Sequence, residues 1–447
     1  MMYQFFGENT VANSFYFPVK TGLALLAFKF RRQKMEIESR TIWSRNFAYI
    51  IMGQTLSVLA NSVMKFALSL YILDLTKSAA LFGTLLAVSI IPTIIFSPIG
   101  GVLADNFNKK NMMVIMDGLY ACIAVLVYFS VVSKASIAVV AICLLLMSVV
   151  SAFETPIVQS SMPLLFKENN LLKANSVVNQ IQLFANFVGP ILAGFLYSLV
   201  RIEWIFIMCF ILFFGAAAIE CFIKIPILTV KFENGAIATV IKDLKESWLF
   251  IRKEEPAIIK IIVVLGAISF FISGLLFVGI PYIIRIVLDL DSQYLGINQG
   301  LISLAGIAGA IMVGVLSKKL NMKNSYLIVG LSSLLVLLMG VIFMIDMPAT
   351  VTFALFTFMI MLLQALFTLF SIFVVSNIQA NTPVQLVGKV MSYVTTLSLC
   401  AQPLSQAVYG FLFDIFSNSV YILFLFTGLV MLLVSYFSKN SFKNFNQ

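Results

Sequence analysis

Twelve stretches of the chain are almost continuously apolar for about twenty residues or more, the length a helix needs to cross the hydrocarbon core of a bilayer. They run Asn46–Leu73, Leu81–Ala104, Met112–Val132, Ala135–Glu154, Ala174–Val200 and Glu203–Ile223, then Ile258–Ile286, Tyr294–Leu316, Tyr326–Ile345, Ala349–Asn377, Gly388–Phe413 and Val420–Phe437. Barrel strands would instead alternate every second residue in segments of about ten. The pattern predicts an all-α membrane protein with 12 transmembrane helices. Polar stretches group them into a first six-helix bundle, 46–223, and a second, 258–437, joined by a linker over 224–257 and flanked by segments 1–45 and 438–447. In the linker Ile237, Val240, Ile241, Leu244, Trp248 and Ile251 recur at helical spacing against Lys242, Asp243, Lys245 and Glu246. That spacing predicts an amphipathic helix on the membrane face.

Composition narrows the class. Of 447 residues 61% are hydrophobic and 11% charged, whereas soluble domains carry about 25% charged residues. A water-soluble globule is excluded. The absence of histidine removes His-based metal sites and Ser-His-Asp catalysis. The five cysteines lie in apolar runs without a C-x-x-C pair, which fits small buried hydrophobes rather than a disulfide framework or a zinc site. The net charge of +10 is a matter of topology. With the N-terminus inside, cytosolic segments hold 24 of the 29 basic residues, and outer loops hold only Lys77, Lys134, Arg201 and Arg285. The positive-inside rule then places both termini in the cytosol of a multi-pass cytoplasmic (inner) membrane protein, with the bilayer, not nucleic acid, as its partner.

Residues 1–34 do not fit the pattern. The short apolar stretch Gly22–Phe28 precedes Lys29, Arg31, Arg32 and Lys34, the reverse of a signal peptide's order. Either the extension reflects an upstream start, with Met35 opening the lead-in to an interfacial Trp43, or it is a basic interfacial helix.

The two bundles are repeats. Gly101–Asn111 (GVLADNFNKKN) aligns with Gly314–Asn324 (GVLSKKLNMKN), identical at six of eleven positions at an offset of 213 that also pairs Gly53 with Gly266 and Pro190 with Pro403. A six-span unit repeated in parallel is the signature of a transporter with its site at the repeat interface. In span 1, Gln54, Ser57, Asn61 and Lys65 fall on one face. Ser148, Ser151 and Thr155 do so in span 4, Gln364, Thr368 and Ser371 in span 10, and Ser269 and Ser273 in span 7. These stripes mark a cavity. Its substrate-facing candidates are Gln54, Asn61, Lys65, Ser151, Thr155, Ser273, Gln364 and Thr368.

The stretch GVLADNFNKK at Gly101–Lys110 resembles the signature loop of the major facilitator superfamily, over a resemblance that spans Trp43 to Phe437. WSRNF at Trp43–Phe47, FETPIVQ at Phe153–Gln159, KANS at Lys173–Ser176 and VGPILAG at Val188–Gly194 look like the branch holding macrolide-efflux proteins and the enterobactin exporter. The resemblance implies two pseudo-symmetric bundles working by alternating access, with spans 1, 4, 7 and 10 lining the cavity. It implies that Asp105 faces the start of span 11, near Gly388, as a conformational latch with Asn108, Lys109 and Lys110. Asn108 stands where the family has glycine, so a left-handed backbone is expected there. Gly189, Pro190 and Gly194 resemble the tail of the antiporter motif, a close-packing or hinge element. Span 8 repeats the small-residue spacing at Gly306, Ala310 and Gly314.

Charge within spans costs at least about 2.5–3.5 kcal/mol at mid-helix, so Lys65, Asp117, Glu154 and Glu220, with Asp414 at an outer edge, are functional candidates by default. Lys65 reads as the deepest; Asp117, Glu154 and Glu220 read as lying near cytosolic helix ends. Without histidine only a carboxylate can carry a proton, and Asp117 and Glu154 are the coupling candidates. The expected function is proton-coupled efflux of an amphipathic small molecule by a monomer, without a cofactor. A lysophospholipid flippase and an uptake symporter stay open. No G-x-x-x-x-G-K-[ST] loop supplies nucleotide energy, and an embedded enzyme lacks a nucleophile with a base.

Overall fold

The computed structural model describes residues 44–166, 168–225, 256–316, 320–382 and 387–443. Twelve long helices lie among them: α1 (Arg45–Thr76), α2 (Ala79–Asn106), α3 (Lys109–Val132), α4 (Ile137–Leu165), α5 (Glu168–Leu199) and α6 (Ile202–Glu220), then α7 (Pro256–Gly274), α8 (Ser292–Leu316), α9 (Ser325–Ile342), α10 (Ala349–Ala380), α11 (Val387–Ile415) and α12 (Val420–Lys443). Eleven are long and apolar enough to cross a membrane by length and composition; α11, of 29 residues, is the twelfth long helix and is not one of those eleven. The expected linker helix and the expectations for residues 1–43, Trp43 included, lie outside the described residues.

The helix pairs repeat with a shift of six. Helix α1 packs on α5 and α6 as α7 packs on α11 and α12; α2 packs on α4 as α8 does on α10; α3 packs on α6 as α9 does on α12. The pairs that join the two bundles, α2 with α11 and α5 with α8, exchange under the same shift. Outward faces carry large exposed apolar side chains such as Phe129, Val315, Ile415 and Phe437, as a lipid-facing surface requires.

Helix α4 continues eleven residues past Glu154, the end predicted for it. A charge followed by Pro156 reads as a stop. The helix persists because each proline forfeits only one backbone bond, while Ile157, Val158 and Met162 bury against Phe47, Met112 and Phe166. Glu154 therefore sits inside a helix rather than near its end. Helix α7 is prolonged by two π-helical turns, Leu275–Gly279 and Ile283–Val287, on either side of Ile280–Tyr282. Pro281 lacks an amide to continue the four-residue ladder, and such widened turns are common at functional sites.

Candidate functional site

The two bundles meet at the end of the molecule away from Arg45 and the close of α12, here the distal face. Lys77 adopts a left-handed φ of 52° and its amide returns to Leu73 O at 2.8 Å, so α1 ends and α2 begins two residues later. That tight turn presents the amino end of α2 to the second bundle. Asp414, near the carboxyl end of α11, accepts from Ser78 Oγ (2.6 Å), Ala79 N (2.7 Å) and Ala80 N (3.1 Å), so it satisfies orphan donors and the positive end of the α2 dipole. Beside it Arg285, on the second π turn of α7, donates from Nε to Asp74 Oδ1 (3.1 Å) and from Nη2 to Asp74 Oδ2 (2.7 Å), with Nη1 on Leu290 O. Ser292 Oγ donates to Gly194 O at 3.0 Å. These hydrogen bonds join the two bundles at the distal face. Backbone approaches reinforce it: a Cβ at Gly410 would stand 2.6 Å from Ala79 O, and one at Gly194 would stand 2.9 Å from Gly296 Cα. Leu70, Leu73, Ala79 and Phe82 of the first bundle belong to the apolar core of the second.

Beneath this closure lies a cavity of about 560 Å³. Its apolar wall includes Phe66, Leu86, Leu276, Phe277 and Leu295; its polar wall includes Asn61, Lys65, Ser151, Glu154 and Thr155. Lys65 and Glu154 are within electrostatic reach of each other. An ionisable amine and carboxyl among other polar groups, facing an apolar wall, can orient an amphipathic ligand.

Behind α1 the polar groups continue into the first bundle. Ser57 Oγ lies 2.5 Å from Asp117 Oδ1 and 3.5 Å from Glu154 Oε1. Asn61 Nδ2 donates to the Tyr120 hydroxyl at 2.8 Å, and the Tyr120 ring stacks on Phe213 at 4.9 Å. Glu220, at the end of α6, is fully buried beside Gln54 and Asp117. A Cβ at Gly53 would meet Glu220 Cγ at 2.7 Å, so only glycine leaves room for this carboxyl.

The cavity thus touches Asn61, Lys65, Ser151 and Thr155 of the predicted set. Gln54 lies instead on the buried side of α1 with Glu220. Gln364 and Thr368 bond each other at 3.3 Å and lie against Gly306 of α8; a mutual bond within one helix lets polar residues sit away from the cavity. Ser273 is also outside the lining, to which α7 contributes Leu276, Phe277 and Pro281. Gln182, Asn186 and Gln299 line the cavity as well. The spacing of Gln182, Asn186 and Pro190 on α5 is the same four-residue signal that marks span 1.

Gly189 and Gly194 are close-approach positions. A Cβ at Gly189 would strike Ser62 of α1, and Gly194 faces α8, with Pro190 on the cavity wall between them. On α8 the surface meeting α5 is Ser292, Gly296 and Gly300, one region nearer the distal face than Gly306, Ala310 and Gly314. Of the expected latch, the side chains of Asp105 on α2 and Gly388 on α11 lie outside those described. Lys109 is buried and Lys110 half-buried in the first turn of α3. Asn108 is not left-handed: at φ −66° and ψ 108° it is the N-cap of α3, its Oδ1 accepting from Lys110 N and Asn111 N. Asparagine serves here as a helix cap, not as a glycine substitute. Asn108→Ala is expected to lower stability by about 1 kcal/mol, read as a lower thermal midpoint in detergent.

The sequence reading misses Asp74, Arg285 and Asp414 as partners and Tyr120 altogether; it singles out Ser57 and Glu220, but not as neighbours of Asp117 in one polar layer.

Comparison with known proteins fits this architecture. Over 163 residues the chain is 28% identical to macrolide efflux protein A of Streptococcus pyogenes, covering 36% of this chain and 40% of that protein. It is 20% identical over 298 residues to the MFS-type transporter YvqJ of Bacillus subtilis, covering 64% and 68%. The chain thus spans well under half the length of the macrolide efflux protein it matches. Among solved structures, a bacterial homologue of the iron transporter ferroportin in its inward-facing state superposes with a TM-score of 0.67 at 16% identity, over 88% of this chain and 98% of that one; this likeness is one of fold. The sequence model of the Major Facilitator Superfamily matches residues 50–405. Twelve helices in two repeated bundles, a cavity between them and this match together make the chain a member of the Major Facilitator Superfamily of membrane transporters.

Proposed function

We propose that the chain exports an amphipathic organic molecule across the cytoplasmic membrane by alternating access, in exchange for protons. The carrying observation is the cavity between the bundles, where apolar side chains face the Lys65–Glu154 pair. A cavity with an apolar wall opposite a wall of polar and ionisable groups suits an amphipathic molecule. With both termini in the cytosol the distal face is extracellular, and the Asp74–Arg285 and Asp414 contacts are the outer gate of an inward-facing state. Asp117 and Glu154 are the coupling carboxyls, and Glu154 faces the same space as the substrate. The family resemblance assigns Asp105 the matching role on the cytosolic side. The partial likeness to a macrolide efflux protein supports efflux and suggests a first probe.

The test is erythromycin accumulation in cells that lack their major pumps and express the chain, with and without a protonophore. Lower accumulation that the protonophore abolishes is the expected result. Unchanged accumulation despite verified membrane expression would reject macrolide efflux. Reduced accumulation that persists under the protonophore would reject proton coupling.

A further inference from the structure

We propose that Glu220 is the inner end of a proton path that leaves the substrate cavity at Glu154 and runs behind α1 through Ser57 and Asp117. This rests on the proton-coupled reading above and extends it, because it separates the route of the proton from the route of the substrate.

Three observations carry it. Glu154 lines the cavity, whereas Asp117 and Glu220 do not. Ser57, fully buried, touches both Asp117 and Glu154, and a hydroxyl can accept on one side while donating on the other. Glu220 is fully buried with its carboxyl interacting with Gln54 and Asp117, although no bond to its oxygens or to Asp117 Oδ2 meets full hydrogen-bond geometry. Burying a carboxyl with such incomplete bonding is costly, and Gly53 is held at the one side-chain size that admits it. A carboxyl held at that cost next to Asp117 is placed to exchange a proton with it.

The charged and titratable groups around this path are Lys65 on α1, Asp117 and Tyr120 on α3, Glu154 on α4 and Glu220 on α6. The step balances. Glu154 gives its proton to Ser57 Oγ as Ser57 passes its own hydroxyl proton to Asp117 Oδ1, so the serine ends as it began. Asp117 then gives a proton to Glu220, which stands at the terminal end of α6. With the termini inside, that end faces the cytosol, and a proton can leave the cavity while substrate still occupies it.

The test uses the full chain in lipid nanodiscs, without substrate. Carboxyl protonation is followed by infrared difference titration for wild type, Glu220→Gln, Glu220→Asp and Ser57→Ala. Glu220→Gln and Ser57→Ala are expected to move the titration midpoint of the remaining buried carboxyls by about one pH unit or more, as strongly interacting groups do, and Glu220→Asp to restore part of the wild-type profile. A Glu220→Gln spectrum that loses one carboxyl band and leaves the others' midpoints unchanged would overturn the path. In inside-out vesicles, gradient-driven erythromycin uptake is expected to fall about tenfold or more in both variants, while substrate counterflow, which requires a folded carrier but no net proton movement, stays near wild type. Gradient-driven uptake by wild type with equal uptake by Ser57→Ala and Glu220→Gln would overturn the path alone. Gradient-independent uptake by wild type would overturn the coupled reading and the path with it.

Discussion

Gly83→Leu is expected to hold the distal face open and to cut transport about tenfold or more while the chain still folds and inserts. A Cβ at Gly83 would overlap the main-chain oxygen of Gln406 and stand 3.1 Å from Gly410 Cα. Both obstacles are backbone, so no side chain can swing aside, and α2 and α11 must part. Parting them removes the three bonds to Asp414 and pulls Phe82 and Ala79 out of the core they share with the second bundle. A two-state carrier is inverted from 99:1 to 1:99 by about 5.5 kcal/mol, and the loss of several buried contacts is of that order. Spin labels at the exposed Leu75 and Asn418 would report the change as a shift to longer distances. Gly118→Leu is the control, since a Cβ there meets nothing within 4 Å. A wild-type distance distribution together with wild-type transport in Gly83→Leu would show that this contact does not govern closure.

The Asp74–Arg285 pair should be the strongest polar element of the same closure. It is bidentate, and each side chain is less than one-fifth exposed. Hydrogen bonds to charged groups contribute about 1.5–3 kcal/mol, and removing one partner leaves the other poorly solvated. Arg285→Ala is therefore expected to shift the closed-to-open ratio roughly thirtyfold, about 2 kcal/mol. Arg285→Glu should do more through repulsion, and the exchange of Asp74→Arg with Arg285→Asp should recover part of the loss. The neighbouring Lys77–Asp74 contact, at 3.9 Å with an exposed lysine, should matter little, as exposed pairs do. Additive effects of the single substitutions in a double-mutant cycle would show that the two residues are not coupled.

The helices were legible because a bilayer leaves a spanning chain few choices: an apolar run of about twenty residues must be helical. Lys65 and Glu154 were legible because charge within such a run is costly enough to be conspicuous. The end of α4 was not, because Glu154 and Pro156 carry the local marks of termination and the burial that overrides them comes from Phe47 and Met112, far away in sequence. Arg285 and Asp414 read as loop and edge charges, since nothing periodic ties either to a partner in the other bundle. The polar stripe of α10 misled in the opposite sense: spacing shows that Gln364 and Thr368 share a face, but not that they bond each other. Asn108 was misread because the same residue type suits a left-handed turn and a helix cap, and only the backbone angle separates the two.

Helices α2 and α11 lie antiparallel, and the acid that clasps them stands at the rim, apart from the chamber that would hold cargo. The α2 donors it grips are main-chain groups on a turn only two residues long, so the clasp can be tightened or slackened by exchanging one carboxylate without redrawing any surface the cargo touches. On the proposed reading, how often the carrier cycles and what it carries are separate traits. Substitution at Asp414 is then expected to change the pace and spare the cargo, and substitution at Phe66, Leu86 or Phe277 to do the reverse.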